Sequence, residues 1–501
     1  MAWRDAVPEG ETALIALATV VAPANGSVTL RFVTGYLPPG ACMQGPTAGV
    51  VLNCQPDRDE DVEHAPARPP AWSAAVDAAE DGGEGLASVA RQNWGAHLVK
   101  AEMASQPWVG RELAWHSFVL QATPTFDTYF NSSIIDQGTA YRYAAGFQGA
   151  IRDPLQHALP LIHSRPDLVR AVLRYSLMEQ QRDVNAPPGS PTDPVFVPDS
   201  MIGSGIIRPG TPAPDDFELY LLHLATEYVS ATKDVSFLLS EADAVHAYGE
   251  TATHTVLEGL LAAQKFTLHN VGKGPHGLLR LLSSDWDDGF KPPAVAEPVA
   301  ESVLTSALAA FVLPRWAALL RSLPAPHAHA HEPEATAAEA FGSELKETIF
   351  EQAWNGQWLR RAWLGDDVKW VGTSPAEASV NGSQVSLYSA QVGWALLANV
   401  FEGHAAEEAT QIEQLHQQCR GDESGWALGF GYRCINSADP RPGSGMWPAV
   451  NHITLMGLAA RLAQGDTVIL HGHWLSFIRD LHRDIAVIAI ICSKKDNIVP
   501  S

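Results

Sequence analysis

The feature that most constrains this chain is a helical period that recurs with no strand period between its repeats. Leu168, Ala171, Val172 and Tyr175 fall on one helix face, as do Phe217, Leu221, Leu224 and Tyr228. Val256, Leu257, Leu260 and Leu261 form a third stripe, and Leu304, Leu308, Phe311 and Val312 a fourth. Each stripe marks a helix that has to bury one side against another helix. Gly- and Pro-rich joins separate them. The pattern therefore predicts a mainly α fold, an α/α toroid of helical hairpins, in preference to a β/α barrel. At 501 residues the chain can hold one large domain of this kind with an appendage.

Chemistry is expected at the joins. The stretch Gly274–Phe290, GPHGLLRLLSSDWDDGF, stops an apolar run and brackets Trp286 with Asp285, Asp287 and Asp288. An indole face stacks on the apolar side of a sugar ring, and a carboxyl beside it is kept protonated by desolvation and like charge. That suits a general acid at a glycosidic bond. The same residues equally suit an acidic loop plugged by its tryptophan, so other stretches have to decide. The 15 Trp residues fit stacking surfaces as well as core. A net charge of −23 opposes nucleic acid and anionic membranes as partners and leaves a neutral substrate.

The segment SSDWDDG resembles the DWNDG signature of the cellobiose and chitobiose phosphorylases and of the related domain of cyclic glucan synthases. That resemblance implies an inverting carbohydrate enzyme with Asp288 as general acid. It also implies Trp286 and Asp287 as substrate contacts, Asp287 standing where the family usually has Asn. IDQGTAYRYAAGFQGAIRDPLQ, from Ile135, is similar to the family's glycine-rich loop ending in FRDQLQD and implies sugar recognition by Arg152 and Asp153. The family's arginine six positions before that Asp is replaced by Phe147. PDDFELYLL resembles its paired-Asp helix start and points to Asp216; helix capping is the competing role for that carboxylate. WNGQWLRRAWLGDDVKWVG and SLYSAQVGWALL resemble two further patches and imply Trp358, Arg360 and Gln391 in the cleft, with core packing the alternative for the aromatics. Glu301 also matches the family, and a first-turn carboxylate favoured by the helix dipole is its expected role. In GSGMWPAVNH, Ala449 occupies the position of the family's phosphate-binding histidine, and His452 is displaced from it.

The reading divides the chain into a partial β-sandwich-like segment over 1–54, a linker with a linker helix over 55–105, the (α/α)6 catalytic domain over 106–465 and a divergent tail over 466–501. Thr12–Val21 and the alternation at Val28, Leu30 and Phe32 carry the β reading. Five scattered cysteines at no metal-like spacing, and no basic-then-apolar start, predict a reduced, cytoplasmic protein. His327, His329 and His331 are expected on a flexible surface loop and not around a metal. No cofactor is expected beyond inorganic phosphate as a co-substrate. The expected partner is a glucoside or short oligosaccharide, with the oligomeric state open and a homodimer allowed. Three functions remain: inverting phosphorylase, inverting hydrolase, or noncatalytic sugar-binding relic.

Overall fold

The computed structural model describes residues 2–6, 13–17, 107–127, 132–135, 147–149, 152–182, 215–246, 253–287, 299–381, 386–419 and 448–463, with a few shorter pieces between. The chain divides into two compact units, residues 1–98 and 99–501. The boundary falls inside the segment expected to be a linker. In the first unit, β1 (Ala2–Ala6) pairs antiparallel with β2 (Ala13–Leu17), in register from Ala2 opposite Leu17 to Ala6 opposite Ala13. The apolar run at Thr12 thus does contain a strand. Val28–Phe32 and the 466–501 tail lie outside the described residues.

The second unit is mainly helical and has the (α/α)6-toroid fold. Its helices are α1 (Pro107–Ala122), α2 (Arg152–Ala158), α3 (Pro166–Met178), α4 (Phe217–Thr232), α5 (Val235–Leu239), α6 (Val256–Lys265), α7 (Val303–Arg321), α8 (Ala325–Ala330), α9 (Glu332–Thr348), α10 (Pro375–Asn381), α11 (Val392–Leu397), α12 (Ala405–Gln414) and α13 (Pro448–Ala463). The predicted stripes face the core. Leu168, Val172, Tyr175, Phe217, Leu221, Leu224, Tyr228, Val256, Leu257, Leu260, Leu304, Leu308 and Val312 are all buried.

Local chemistry explains the helix ends. Thr255 and Glu258 form a reciprocal capping box on α6, and Ser302 Oγ accepts the Thr305 N–H at the start of α7. Helix α4 closes on Lys233, whose φ of 61° is left-handed, with its N–H on the Val229 carbonyl. Helix α7 is apolar on most of its circumference, with Arg315 and Ala318 on its one open side, and is the spine of the core. Its mean hydropathy of 1.7 over an 18-residue window would suffice for a membrane span, but 78% of that window is buried inside the protein. Pro314 within α7 has lost its N–H, and Gly342 of α9 fits against its ring; a Cβ there would lie 2.7 Å from Pro314 Cδ.

The histidine segment differs from expectation. His327 and His329 sit in α8, because Pro324 ends the preceding turn and the interleaved alanines favour helix over loop. Among the described residues no three metal-ligating side chains gather.

A small antiparallel sheet positions the site. It consists of β3 (Glu301–Ser302), β4 (Ala362–Trp363) and β5 (Trp370–Val371), with Glu301 opposite Trp363, Ser302 opposite Ala362 and Trp363 opposite Trp370. This sheet ties the start of α7 to the arginine pair Arg360–Arg361.

Candidate active site

The signature segment leaves the edge of this sheet under tight backbone control. Ser302 donates its N–H to Leu279, Leu281 donates to Ala300, and Leu282 then turns with a φ of 48°, a left-handed value that branching at Cγ tolerates only under constraint. The Ser284 carbonyl accepts the Asp215 N–H at 3.2 Å.

Asp285 follows, and it is wholly buried. Its carboxylate takes a two-pronged contact from Arg361, Nη1 to Oδ2 at 2.6 Å and Nη2 to Oδ1 at 2.7 Å, with both side chains at 0% exposure. The Ser302 hydroxyl donates to Oδ2 at 2.7 Å, and the Asp287 N–H donates to Oδ1 at 3.1 Å. The carbonyl of Asp285 accepts from Arg152 Nη1 at 3.2 Å. Charge-assisted bonds of this fork geometry fix orientation as well as distance. The Arg361 guanidinium also lies 4.3 Å from the Phe290 ring centroid.

Arg152, the first residue of α2, spans two contacts. Besides the Asp285 carbonyl it reaches both carboxylate oxygens of Asp216 at 3.2 Å. Asp216 stands at the N-cap of α4 but makes no side-chain cap bond there. Its carboxylate is spent on Arg152 and not on the helix. Asp153 follows Arg152 in the first turn of α2, half-buried, close enough to Tyr220 for its charge to oppose ionisation of that phenol. Trp286 is half-buried and donates its indole N–H to Gln156 Oε1 at 3.1 Å. Asp287 is 8% exposed, and its carbonyl accepts the Phe290 N–H at 2.7 Å. Asp288 lies outside the described residues, between these two fixed neighbours.

Asp215 is the unusual member. It is fully buried, and burial first, then the charges of Asp285 and Asp216, hold its carboxyl well above the usual range. Three buried carboxyls, Asp215, Asp216 and Asp285, thus face two arginines, and Asp215 is the one whose proton is held more tightly than usual.

The structure thereby brings together Arg152, Asp153, Asp216, Trp286 and Asp287, which are distant in sequence. It separates the rest. Trp358 is not a cleft platform: it is 0% exposed and its indole N–H is bound to the Gly372 carbonyl at 2.9 Å, so it fills the core. Gln391 is likewise enclosed, its amide donating to the Leu359 carbonyl at 2.8 Å. Arg360 pairs with Glu377 through Nε at 2.8 Å and donates to the Gln352 carbonyl at 2.7 Å, which leaves it a structural clamp on α10. Glu301 is in β3 and not in a helical first turn; it accepts the N–H groups of His276 and Leu278 at 2.9 and 3.0 Å and contacts the His276 ring at 2.6 Å. Gly274 makes room for it, since a Cβ there would stand 2.4 Å from Glu301 Cγ.

Arg361 was expected to line the cleft and Asp215 to share a paired-Asp helix start, whereas both are fully buried; Ser302 and His276 were not singled out. One signal was available for Arg361: successive residues on a strand point to opposite sides, so the two arginines of LRRAW had to serve different partners.

The chain resembles two solved structures. A rhamnosidase from Klebsiella oxytoca with rhamnose bound aligns at a TM-score of 0.35 and 14% identity, over 67% of this chain and 50% of that one. A sugar epimerase from a ruminal bacterium aligns at a TM-score of 0.43 and 9% identity, over 72% of this chain and 82% of that one. The chain thus spans about half the length of the rhamnosidase. No curated protein sequence matches it. Residues 114–421 match the catalytic domain of the glycosyl hydrolase 94 superfamily, which takes in the buried carboxylate–arginine cluster and every patch from Arg152 to Gln391, and the chain belongs to that superfamily.

Proposed function

We propose that the protein is an inverting glycoside phosphorylase acting on a glucoside or short oligosaccharide, with Asp288 as the general acid. The observation that supports this is the fixing of both flanks of Asp288, Asp287 through Asp285 and Phe290 through the Asp287 carbonyl, beside a half-buried tryptophan. A proton donor has to sit within hydrogen-bond reach of the leaving oxygen, so a rigid segment suits it. In the reaction, an oxygen of phosphate bonds to the anomeric carbon from the face opposite the leaving group. The glycosidic C–O bond breaks, its electron pair stays on the leaving oxygen, and the proton of Asp288 goes to that oxygen. Arg152 and Asp153, paired at the start of α2, are the proposed contacts to the sugar next to the cleaved bond, with Asp216 holding Arg152 in place. Phosphate is the only co-substrate in this reading.

A hydrolase is the second reading, and one observation favours it. Ala449 carries no charge, and His452 is pushed down to about 4 by burial and by His116, so it is neutral near pH 7 and gives a phosphate dianion no cation there. Water would then need a second carboxylate about 6.5–9.5 Å from the acid.

The test is a panel of gluco-disaccharides with and without phosphate. Sugar 1-phosphate of inverted anomeric configuration, formed only with phosphate, is the expected result. Free sugar released at a rate indifferent to phosphate would replace phosphorolysis by hydrolysis. Asp288→Asn should lower turnover by about 10²–10⁴-fold while sugar affinity stays close to wild type; a larger loss in Asp287→Asn would move the acid by one residue.

A further inference from the structure

Two charged side chains at the root of the signature segment, Asp285 and Arg361, are sealed from solvent and paired with each other. Asp285 and Arg361 are both fully buried and share two short contacts, and Arg152 holds the carbonyl of the same Asp285. The Asp287 N–H is bound to the same carboxylate that Arg361 clamps, so the guanidinium is linked through one side chain to the residue preceding the acid. Arg361 is in turn anchored by its backbone, its N–H on the Val371 carbonyl and its carbonyl accepting from Val303 at the start of α7.

We infer that Asp285 and Arg361 are positioning residues for the acid: the pair sets where the segment bearing Asp288 stands and balances the electrostatic field in which it ionises. This rests on the reading of Asp288 as the acid. Two consequences follow from the geometry. Loosening the fork releases the Asp287 N–H, the last fixed point before the acid, which lowers kcat more than it raises KM, because the proton is transferred only in the transition state. Removing one member alone leaves the other as an uncompensated buried charge. A lone Arg361 favours the ionised acid and a lone Asp285 opposes it, so the two single substitutions move the acid in opposite directions. Other charges face the pair. Asp215 and Asp216 approach from the start of α4, Arg152 from α2, Asp287 from the segment itself and Tyr388 from beside Phe290. Arg152 is already matched by Asp216, and burial pushes Asp215 toward its protonated form, so neither offsets the loss of one partner.

The experiment compares Asp285→Asn, Arg361→Gln and the double substitution with wild type and with Asp288→Asn, reading kcat, KM and the alkaline limb of the kcat profile on a cleaved gluco-disaccharide. Each single variant is expected to lose about 10–100-fold in kcat with KM within about threefold. The alkaline limb should move to lower pH in Asp285→Asn and to higher pH in Arg361→Gln, by about half a unit or more. In the double variant, which buries no lone charge and so keeps the fold if a single variant does not, the limb should return toward wild type while kcat stays at least about tenfold down. Asp215→Asn, which replaces a carboxyl pushed toward its protonated form by an amide of the same shape, should lose less than about fivefold. Single variants whose limbs do not move, or a double variant with wild-type kcat, would overturn the inference and leave the pair as packing. If Asp288→Asn keeps its activity, the acid assignment is what has failed, whatever the pair does.

Discussion

At the scale of single residues, what burial does to a titratable group decides its role here. His223 is buried between Phe311 and Trp394, edge-on to both, and burial pushes its imidazole down to about 4. It is neutral in the folded chain, while the unfolded chain takes up its proton near pH 6.5. Stability is therefore lost as pH falls from about 6.5 toward 4, and the loss at pH 5 should be about 2 kcal/mol from this group. Urea unfolding at pH 7 and pH 5 checks it: the drop should be smaller by about that amount in His223→Gln. An equal drop in both chains would show that His223 does not carry the effect. Asp215 works the other way, since a raised carboxyl costs stability as pH rises above the usual carboxylate range. This scale was also the least legible in the sequence. Trp358 and Trp286 are the same residue type, one sealed on the Gly372 carbonyl and the other half-buried beside Gln156, and only tertiary contacts separate them. Asp216 shows the same limit: a carboxylate before a helix reads as a cap, but a buried arginine from another helix outbid the backbone N–H groups for it.

At the scale of elements, the helical stripes were legible because a buried face imposes its period on the sequence wherever the helix lies. The sheet of β3, β4 and β5 was not, since strands of two residues have no period to read. Close helix approaches were hidden for a related reason, as a single glycine has many uses. Gly393 of α11 and Gly457 of α13 are where those two helices touch: a Cβ on Gly393 would lie 2.5 Å from the Thr454 nitrogen, and one on Gly457 2.7 Å from the Gly393 carbonyl oxygen. The obstructing atoms are backbone and cannot step aside. Gly393→Ala should therefore destabilise by about 1–3 kcal/mol, seen as a lower urea midpoint at unchanged slope. A change within about 0.5 kcal/mol would mean that the helices separate at little cost.

At the scale of the whole molecule, 56 acidic against 33 basic residues repel any anion that approaches. A neutral disaccharide is indifferent to that field, and phosphate is not. Between about 0.01 M and 0.15 M inert salt the screening length falls from about 30 Å to 8 Å, so on the proposed phosphorylase reading kcat/KM for phosphate should rise while kcat/KM for the disaccharide holds steady. A fall with salt for phosphate would reveal a local cationic site strong enough to reverse the net charge. The charge balance was readable from composition, whereas the upward push on the Asp215 carboxyl within it was not.

Helix α7 has a consequence for how the molecule comes to exist. It is largely buried because partners enclose it, and one of the principal ones, α9, begins eleven residues beyond its end, Glu332 after Arg321. On a growing polypeptide α7 leaves the ribosome while that partner is still inside it. For that interval its hydropathy of 1.7 over an 18-residue window is presented to water, or to whatever chaperone or targeting factor samples the nascent chain for membrane-bound segments. The same residues that make the core dense in the finished protein are its hazard during synthesis.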